Sequence, residues 1–446
     1  MKHILRIFGG LVVATTLVLT QTPALRSAQS EPANVPGIDK PVIIVSGDIQ
    51  GVENWTNGFY WVLRGAVFIR DGAVLNIQAG TTIIGEAGTV GTLIVEQGGK
   101  LNAIGTPTQP IVFTSGQAPG TRARGDWGGI IINGRAAINV PGGVAAGEAN
   151  TGTYGGGEAP NADDDSGTMQ YVRVEFAGTE FSPDNELNGI AFQGVGRGGR
   201  YDHIQIHMNR DDGLEWFGGT ADIKYAVVSN AADDSFDWTQ GWTGRAQFVL
   251  VHQRGDDADW GIEADNNEFN FDLLPLANPQ IYNMTICADP DRNEGSEAFR
   301  SVLFRRGTAV TFRNFVITGH RPGDTRTLGM QITDSATVAQ VNNNTTQIGA
   351  GIIFGPATPL HSSVVPFVNS GRFPGIVVGQ TPGLGDCTNH AAPDFQPVSA
   401  DTLAGGLLAP IQPPADGFFE PVTFVGGMPP APAVPWTDGW TAFPQN

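Results

Sequence analysis

From residue 41 onward the chain is a succession of short apolar runs broken by Gly. PVIIVSG, YWVLRGAVFI, AVLNIQAGTTIIG, GTLIVEQGGKLNAIG and PIVFTSG are rich in Val, Ile and Thr, the composition of β-strands bounded by turns. Apart from the N-terminal segment, no stretch carries the apolar period of a helix. The strands also repeat. Trp216, Trp238 and Trp260 stand 22 residues apart, as do Glu215, Asp237 and Asp259. A neighbouring segment keeps the interval in Ile204, Ala226 and Phe248, and again in Ile206, Val228 and Leu250. A unit of this length, holding two or three strands and no helix, predicts one turn of a parallel β-helix. Successive coils would stack about 4.8 Å apart. Alternation along a strand puts Leu214 and Trp216 on one face and Glu215 on the other. The expectation is a file of Trp inside and a file of Glu215, Asp237 and Asp259 outside.

The pattern divides the chain. The solenoid is expected over 41–355, with 141–167 and 266–280 leaving it as loops. Pro becomes dense over 356–446, which reads as an irregular cap or tail. Residues 25–40 read as a flexible lead. Before them, Lys2 and Arg6 precede an apolar run over 7–19 and then small residues. That order predicts a secretory signal over 1–24, its apolar run too short to span a bilayer. The expected location is therefore secreted, with no membrane span.

Composition narrows the partners. The 446 residues carry a net charge of −19 and Lys is scarce, so nucleic acid is not an expected partner. Gly, at 61 residues, is about twice its usual share, which suits an all-β chain dense in turns. An exported chain can oxidise its two cysteines, Cys287 and Cys387, to a disulfide closing a loop of about 100 residues.

The string GDWGGIIINGRAAINVPGG (125–143), with DDDSGTMQYVRVEFAG, DNELNGIAF, DDGLEWFGGT, DDSFDW and GIEADN, resembles a group of secreted bacterial β-helix proteins. These are usually left as hypothetical, lipoprotein-like or, misleadingly, multidrug transporter. The resemblance spans roughly residues 75–320. It implies a right-handed parallel β-helix and export, and brings no established activity.

The candidate chemistry is acidic. Residues 202–272 hold 15 acids against four bases, Arg210, Lys224, Arg245 and Arg254. Stacked in columns, such carboxylates would repel by about 1 kcal/mol per close pair even in water. Calcium, which takes carboxylate and carbonyl oxygens, would offset this. Asp211, Asp212, Glu215, Asp233, Asp234 and Asp237 are the expected ligands, with Asp256, Asp257, Asp259, Glu263 and Asp265 extending the column. Asp side chains also accept backbone N–H groups in turns, so a stacked Asp needs no metal. A third reading is catalytic, since carboxyls on neighbouring coils meet the separations of glycoside hydrolysis. The polygalacturonase His motif and basic tripeptide are missing, and His203, His207, His252 and His320 lack metal-ligand or triad spacing. The Trp file fills a core or stacks on sugars, and Trp242 is the expected exposed platform for a glycan.

The expectation is thus an exported, non-catalytic β-helix that binds calcium at the cell exterior, with acidic or neutral polysaccharide as a further ligand. The alternative is a polysaccharide lyase or glycoside hydrolase. The sequence leaves the oligomeric state open.

Overall fold

The computed structural model describes residues 39–446 apart from 183–184, 292–299, 322–324, 402–405 and 407. The expected signal segment (1–24) and nearly all of the lead (25–40) lie outside the described residues. The chain winds as a parallel β-solenoid, and 24 strands join in one continuous sheet system.

Three parallel faces run the length of the stack. Sheet A is a column of short strands, including Gly129–Asn133, Ile190–Gln193, Leu214–Phe217, Phe236–Thr239, Trp260–Ala264, Arg300–Phe304 and Leu328–Ile332. Sheets B and C are the two halves of longer, bent strands such as Arg200–His207, Ile223–Ser229, Arg245–His252, Gln280–Cys287 and Thr311–Thr318. The bend falls on a residue with positive φ in every coil: Tyr171, His203, Tyr225, Phe248, Asn283 and Asn314 lie between φ 50° and 59°. That conformation is unfavourable for bulky L-residues, by roughly 1–2 kcal/mol. Here the rings repay it by stacking coil on coil, with centroids 4.2 Å apart for Tyr171–His203, 4.5 Å for His203–Tyr225 and 5.0 Å for Tyr225–Phe248.

Inside the coils, Leu214, Trp216, Phe236 and Trp238 are fully buried, as alternation demands. Trp216 pairs in register with Trp238. Trp260 does not continue the file: Trp238 pairs with Ala264, and Asp237 with Glu263 rather than Asp259. In register, the turn before that strand is three residues longer than its predecessor, and DADW repeats the letters of the earlier coils just ahead of the true register. Phe248 and Leu250 are likewise one place out. Ala226 pairs with Val249 and Val228 with Val251, so Phe248 takes the bend and Leu250 faces outward.

The coils continue past residue 355 through Thr358–Leu360 and Ile376–Val378. Among the described residues, two α-helices interrupt the all-β expectation. Ser335–Asn342 starts at Asp334, whose side chain accepts the Thr337 N–H at 2.8 Å, and Val365–Asn369 follows. No helix among the described residues is long and apolar enough to cross a membrane. The first part of the proline-dense segment lies at the end of the stack, where Val364 and Phe373 join the core. Its last part, 411–446, runs back along the outside of sheets B and C, from Ile411 at Asn314 to Pro444 at His207. Cys387, which comes before this return in the chain, is bonded to Cys287, with Cα atoms 6.2 Å apart.

Candidate functional site

The outward file on sheet A changes character along the stack. Ile94, Ile131 and Ala191 come first and are covered by Ile138 and Tyr154 of the 138–154 insertion. Glu215, Asp237 and Glu263 follow, then Leu303 and Gln331. The turns leading from sheet C into sheet A bring Asp211, Asp212, Asp233, Asp234 and Asp259 up beside the three acids.

The result is a set of overlapping triads. Carboxylate oxygens come within 4.8 Å of one another in Asp211–Asp212–Asp233, Asp212–Glu215–Asp237, Asp233–Asp234–Asp259 and Asp234–Asp237–Glu263. Part of this is turn chemistry. Asp212 accepts the N–H of Asp234 at 2.9 Å, and Asp234 accepts that of Trp260 at 2.7 Å. Asp212 and Asp234, the second residues of their doublets, therefore each tie their coil to the next with one oxygen. Glu215 accepts a bond from Asn188. Asp237 has no such use: its Oδ1 is buried and accepts no hydrogen bond among the described residues.

Electrostatics make the cluster costly as bare anions. Burial first, then neighbouring carboxylates, drives Asp212, Glu215, Asp234 and Asp237 well above the usual carboxylate range. Burial and Asp233 push Asp211 up to about 8. Burial also raises Asp233, with Arg305 opposing. Glu263 rises to about 7 through burial, again against Arg305. Sequence gave no sign of Glu148, from the Gly-rich insertion, which burial and Glu186 also push up to about 7. It faces Glu215 and Asp211, which feel its charge. That insertion has no periodicity from which its position could be read.

Not every candidate joins the cluster. Arg124 reaches over from the 120s to pair with Asp256 and Asp257, and Arg254 also holds Asp256. Asp265 is clamped by Arg305 and Arg306, at 2.8 and 2.7 Å, and Arg305 also meets Glu263. These three aspartates already have cationic partners. Arg210 points to Glu180. Trp242 is not an exposed platform. It is fully buried, stacks on Trp216 at 4.5 Å and donates its Nε1–H to Ala221 O at 3.0 Å. Its ring is core, and no sugar can reach it.

Two clefts flank the acids. One, of about 690 Å³, is edged by Arg124, Arg210, Glu180, Glu186, Asp211 and Asp233. The other, of about 540 Å³, lies further along sheet A and is lined by Arg300, Arg305, Arg326, His361 and Gln331, with the Arg300 guanidinium 4.9 Å from the Trp260 ring centre.

A family model described as a pectate-lyase-like β-helix domain matches residues 47–356, a span that contains most of the solenoid coils and the whole acidic ladder. The chain belongs to that family. No curated protein and no solved structure gives a significant match. In this pectate-lyase-like β-helix, the acids stand in an outward file on one sheet, where an extended ligand could lie along the stack.

The donor set suits a hard cation. Two oxygens bound to one calcium at about 2.3–2.6 Å lie within about 5 Å of each other, which is the spacing of each triad. A catalytic pair needs two carboxyls on either side of a sugar bond, at about 5–9.5 Å. Here the oxygens converge on common points instead. Asp211, Asp212, Glu215, Asp233, Asp234, Asp237, Asp259 and Glu263 are the residues that would hold calcium. A bound cation would supply positive charge to the ladder and open coordination positions to an anionic ligand.

Proposed function

We propose that the protein is an exported, non-catalytic β-helix that binds calcium on the sheet A ladder and, through it, acidic polysaccharide. The observation that carries this is the overlap of four carboxylate triads, two of which share Asp237, whose buried Oδ1 accepts no hydrogen bond among the described residues. A cation satisfies that atom and offsets the repulsion that, after burial, raises Asp212, Glu215, Asp234 and Glu263. The Arg300, Arg305 and Arg326 cleft further along the same face supports an anionic chain as the second ligand. Family membership supports a polysaccharide as its class.

Calorimetric titration of calcium chloride into the chelator-treated chain tests the first half. Heat of binding that Asp237→Asn weakens by about tenfold or more supports it, a loss of about 1.4 kcal/mol. No heat at neutral pH removes it. Retention on immobilised polygalacturonate with calcium, and release by chelator, tests the second half.

A second reading keeps one observation of its own. Glu148 and Glu263 sit near 7, where a carboxyl can act as a general acid, and Arg305 lies beside Glu263. Release of unsaturated or reducing ends from acidic polysaccharide, abolished by Glu263→Gln, would favour an enzyme over a binding module.

A further inference from the structure

A second group of ligand-type side chains stands away from the acidic ladder, at the sheet C end of the long strands. His207, Ser229, His252, Cys287 and Thr318 pair in register from coil to coil, about 4.8 Å apart. His252 and Cys287 are therefore direct neighbours. Residues 384–397 lie over them as a loop closed on itself. Leu384 bridges Pro397, Gly385 N–H donates to Gln396 O at 2.9 Å, and Asp394 N–H donates to Asp386 O at 3.0 Å. The loop delivers two residues three apart to one place. Cys387 is bonded to Cys287, and the His390 ring stacks on His252 with centroids 4.9 Å apart. Phe395, Leu250, Val227 and Met428 share one buried apolar cluster with the two cysteines.

The two imidazoles are not satisfied by the protein. His252 is fully buried, and neither ring nitrogen has a hydrogen-bond partner among the described residues. Leaving a buried polar group unpaired costs roughly 1–3 kcal/mol. His390 is oriented from one side only. Asp289 takes the Asp291 N–H on Oδ1 at 2.8 Å, and on Oδ2 the Gly255 N–H at 2.8 Å and His390 Nε2 at 2.9 Å. That carboxylate can only accept, so Nε2 carries the proton. Nδ1 of His390 is buried without a partner among the described residues, so a second proton there would find no acceptor and its lone pair stays open. A histidine held by a carboxylate through one nitrogen and open at the other is arranged as metal ligands are.

We propose that His252, Cys287, Cys387 and His390 form a zinc site that the disulfide closes and reduction opens. A dithiol reductant gives two electrons to the S–S bond and leaves as its own disulfide, its two protons passing to Cys287 and Cys387. Zinc(II) then takes both sulfurs as thiolates and releases those protons to water. Cα atoms 6.2 Å apart leave the sulfurs room to part to about 3.8 Å, the gap between two thiolates on one tetrahedral zinc. Binding turns the stacked rings so that one nitrogen of each converges on the ion, completing the two-cysteine, two-histidine set of closed zinc centres. Zinc with two thiolates and two neutral imidazoles carries no net charge, which suits an apolar cluster. Soft sulfur and imidazole select zinc here, as the oxygens of the ladder select calcium. The site is separate from the calcium reading and does not rest on it.

Cobalt(II), a spectroscopic stand-in for zinc, tests this on the full chain at pH 7 in excess calcium, after anaerobic reduction with a phosphine. One cobalt should bind per reduced chain, with a thiolate-to-cobalt charge-transfer band and the intense visible bands of a tetrahedral ion. Added zinc should abolish both, and the oxidised chain should show neither. His390→Ala and His252→Phe should each weaken cobalt binding by about tenfold or more and dim the visible bands. A reduced chain that keeps its circular dichroism yet shows no thiolate band overturns the proposal. So does a chain that unfolds on reduction and is not refolded by zinc. Affinity unchanged by both histidine substitutions also overturns it, because the metal is then held by the thiolates alone. Should His252→Phe fail to fold, His390→Ala decides. The ladder has no sulfur, so a missing thiolate band leaves the calcium reading standing, and missing calcium heat leaves this site standing.

Discussion

Asp237 concentrates the chemistry of the site in one side chain. It belongs to two triads, its Oδ1 accepts no hydrogen bond among the described residues, and Glu263, Asp265 and Asp233 press on it. Replacing it with Asn removes one repelling charge and one ligand together. The chelated variant should melt at a higher temperature than the chelated parent, and calcium should raise its midpoint less. Trp242 makes the opposite case. Trp242→Ala should cost about 3–5 kcal/mol in denaturant unfolding, as an emptied aromatic core site does, and leave retention on polysaccharide unchanged. The two residues show what was legible. Asp211 to Asp237 were readable as neighbours because the coils there keep the 22-residue interval. Trp242 was misread because it sits in a turn, a place that sequence alone assigns to solvent. Here the turn folds inward and the indole N–H finds a carbonyl.

At the scale of elements, the repeat was plain and its exceptions were not. The turn that carries Asp256 and Asp257 is longer, which moved Asp259 and Trp260 ahead of register and handed their places to Glu263 and Ala264. No letter in the sequence marks that shift, since the longer turn preserves the DD and DW pairs. The same turn supplies the Arg-clamped aspartates, which makes it a strut between the 120s and the ladder's edge. Beyond it, Arg305 balances Glu263 and Asp265. Arg305→Gln should therefore lower the melting midpoint strongly in chelator and weakly in calcium, as followed by differential scanning fluorimetry. The returning segment 411–446 was legible only as composition. Proline density excludes regular coils, but nothing in it says that the segment doubles back over sheets B and C.

Over the whole molecule, a net charge of −19 is distributed unevenly. Sheet A gathers anions in the middle of the stack and arginines further along, whereas the middle coils of sheets B and C are covered by the returning segment 411–446. The disulfide ties the chain ahead of the returning segment to the solenoid across a 100-residue separation, so reducing it should speed proteolysis of the C-terminal segment while the coils stay resistant. The ladder sets the pH dependence of the bare chain. Acids whose folded pKa is raised stabilise the fold below the ordinary carboxylate range of about 4. That contribution is lost as pH rises through about 7 and 8 for Glu263 and Asp211. A bound cation replaces the proton and cancels the loss. The decisive measurement is the melting midpoint of the disulfide-intact chain from pH 5 to pH 8, with calcium and with chelator. The two curves should lie close together at pH 5 and diverge upward in pH, the chelated chain falling and the calcium-loaded chain holding. Superimposed curves at pH 8 would mean that the carboxylates are stacked without a cation, and the account of this site would be wrong.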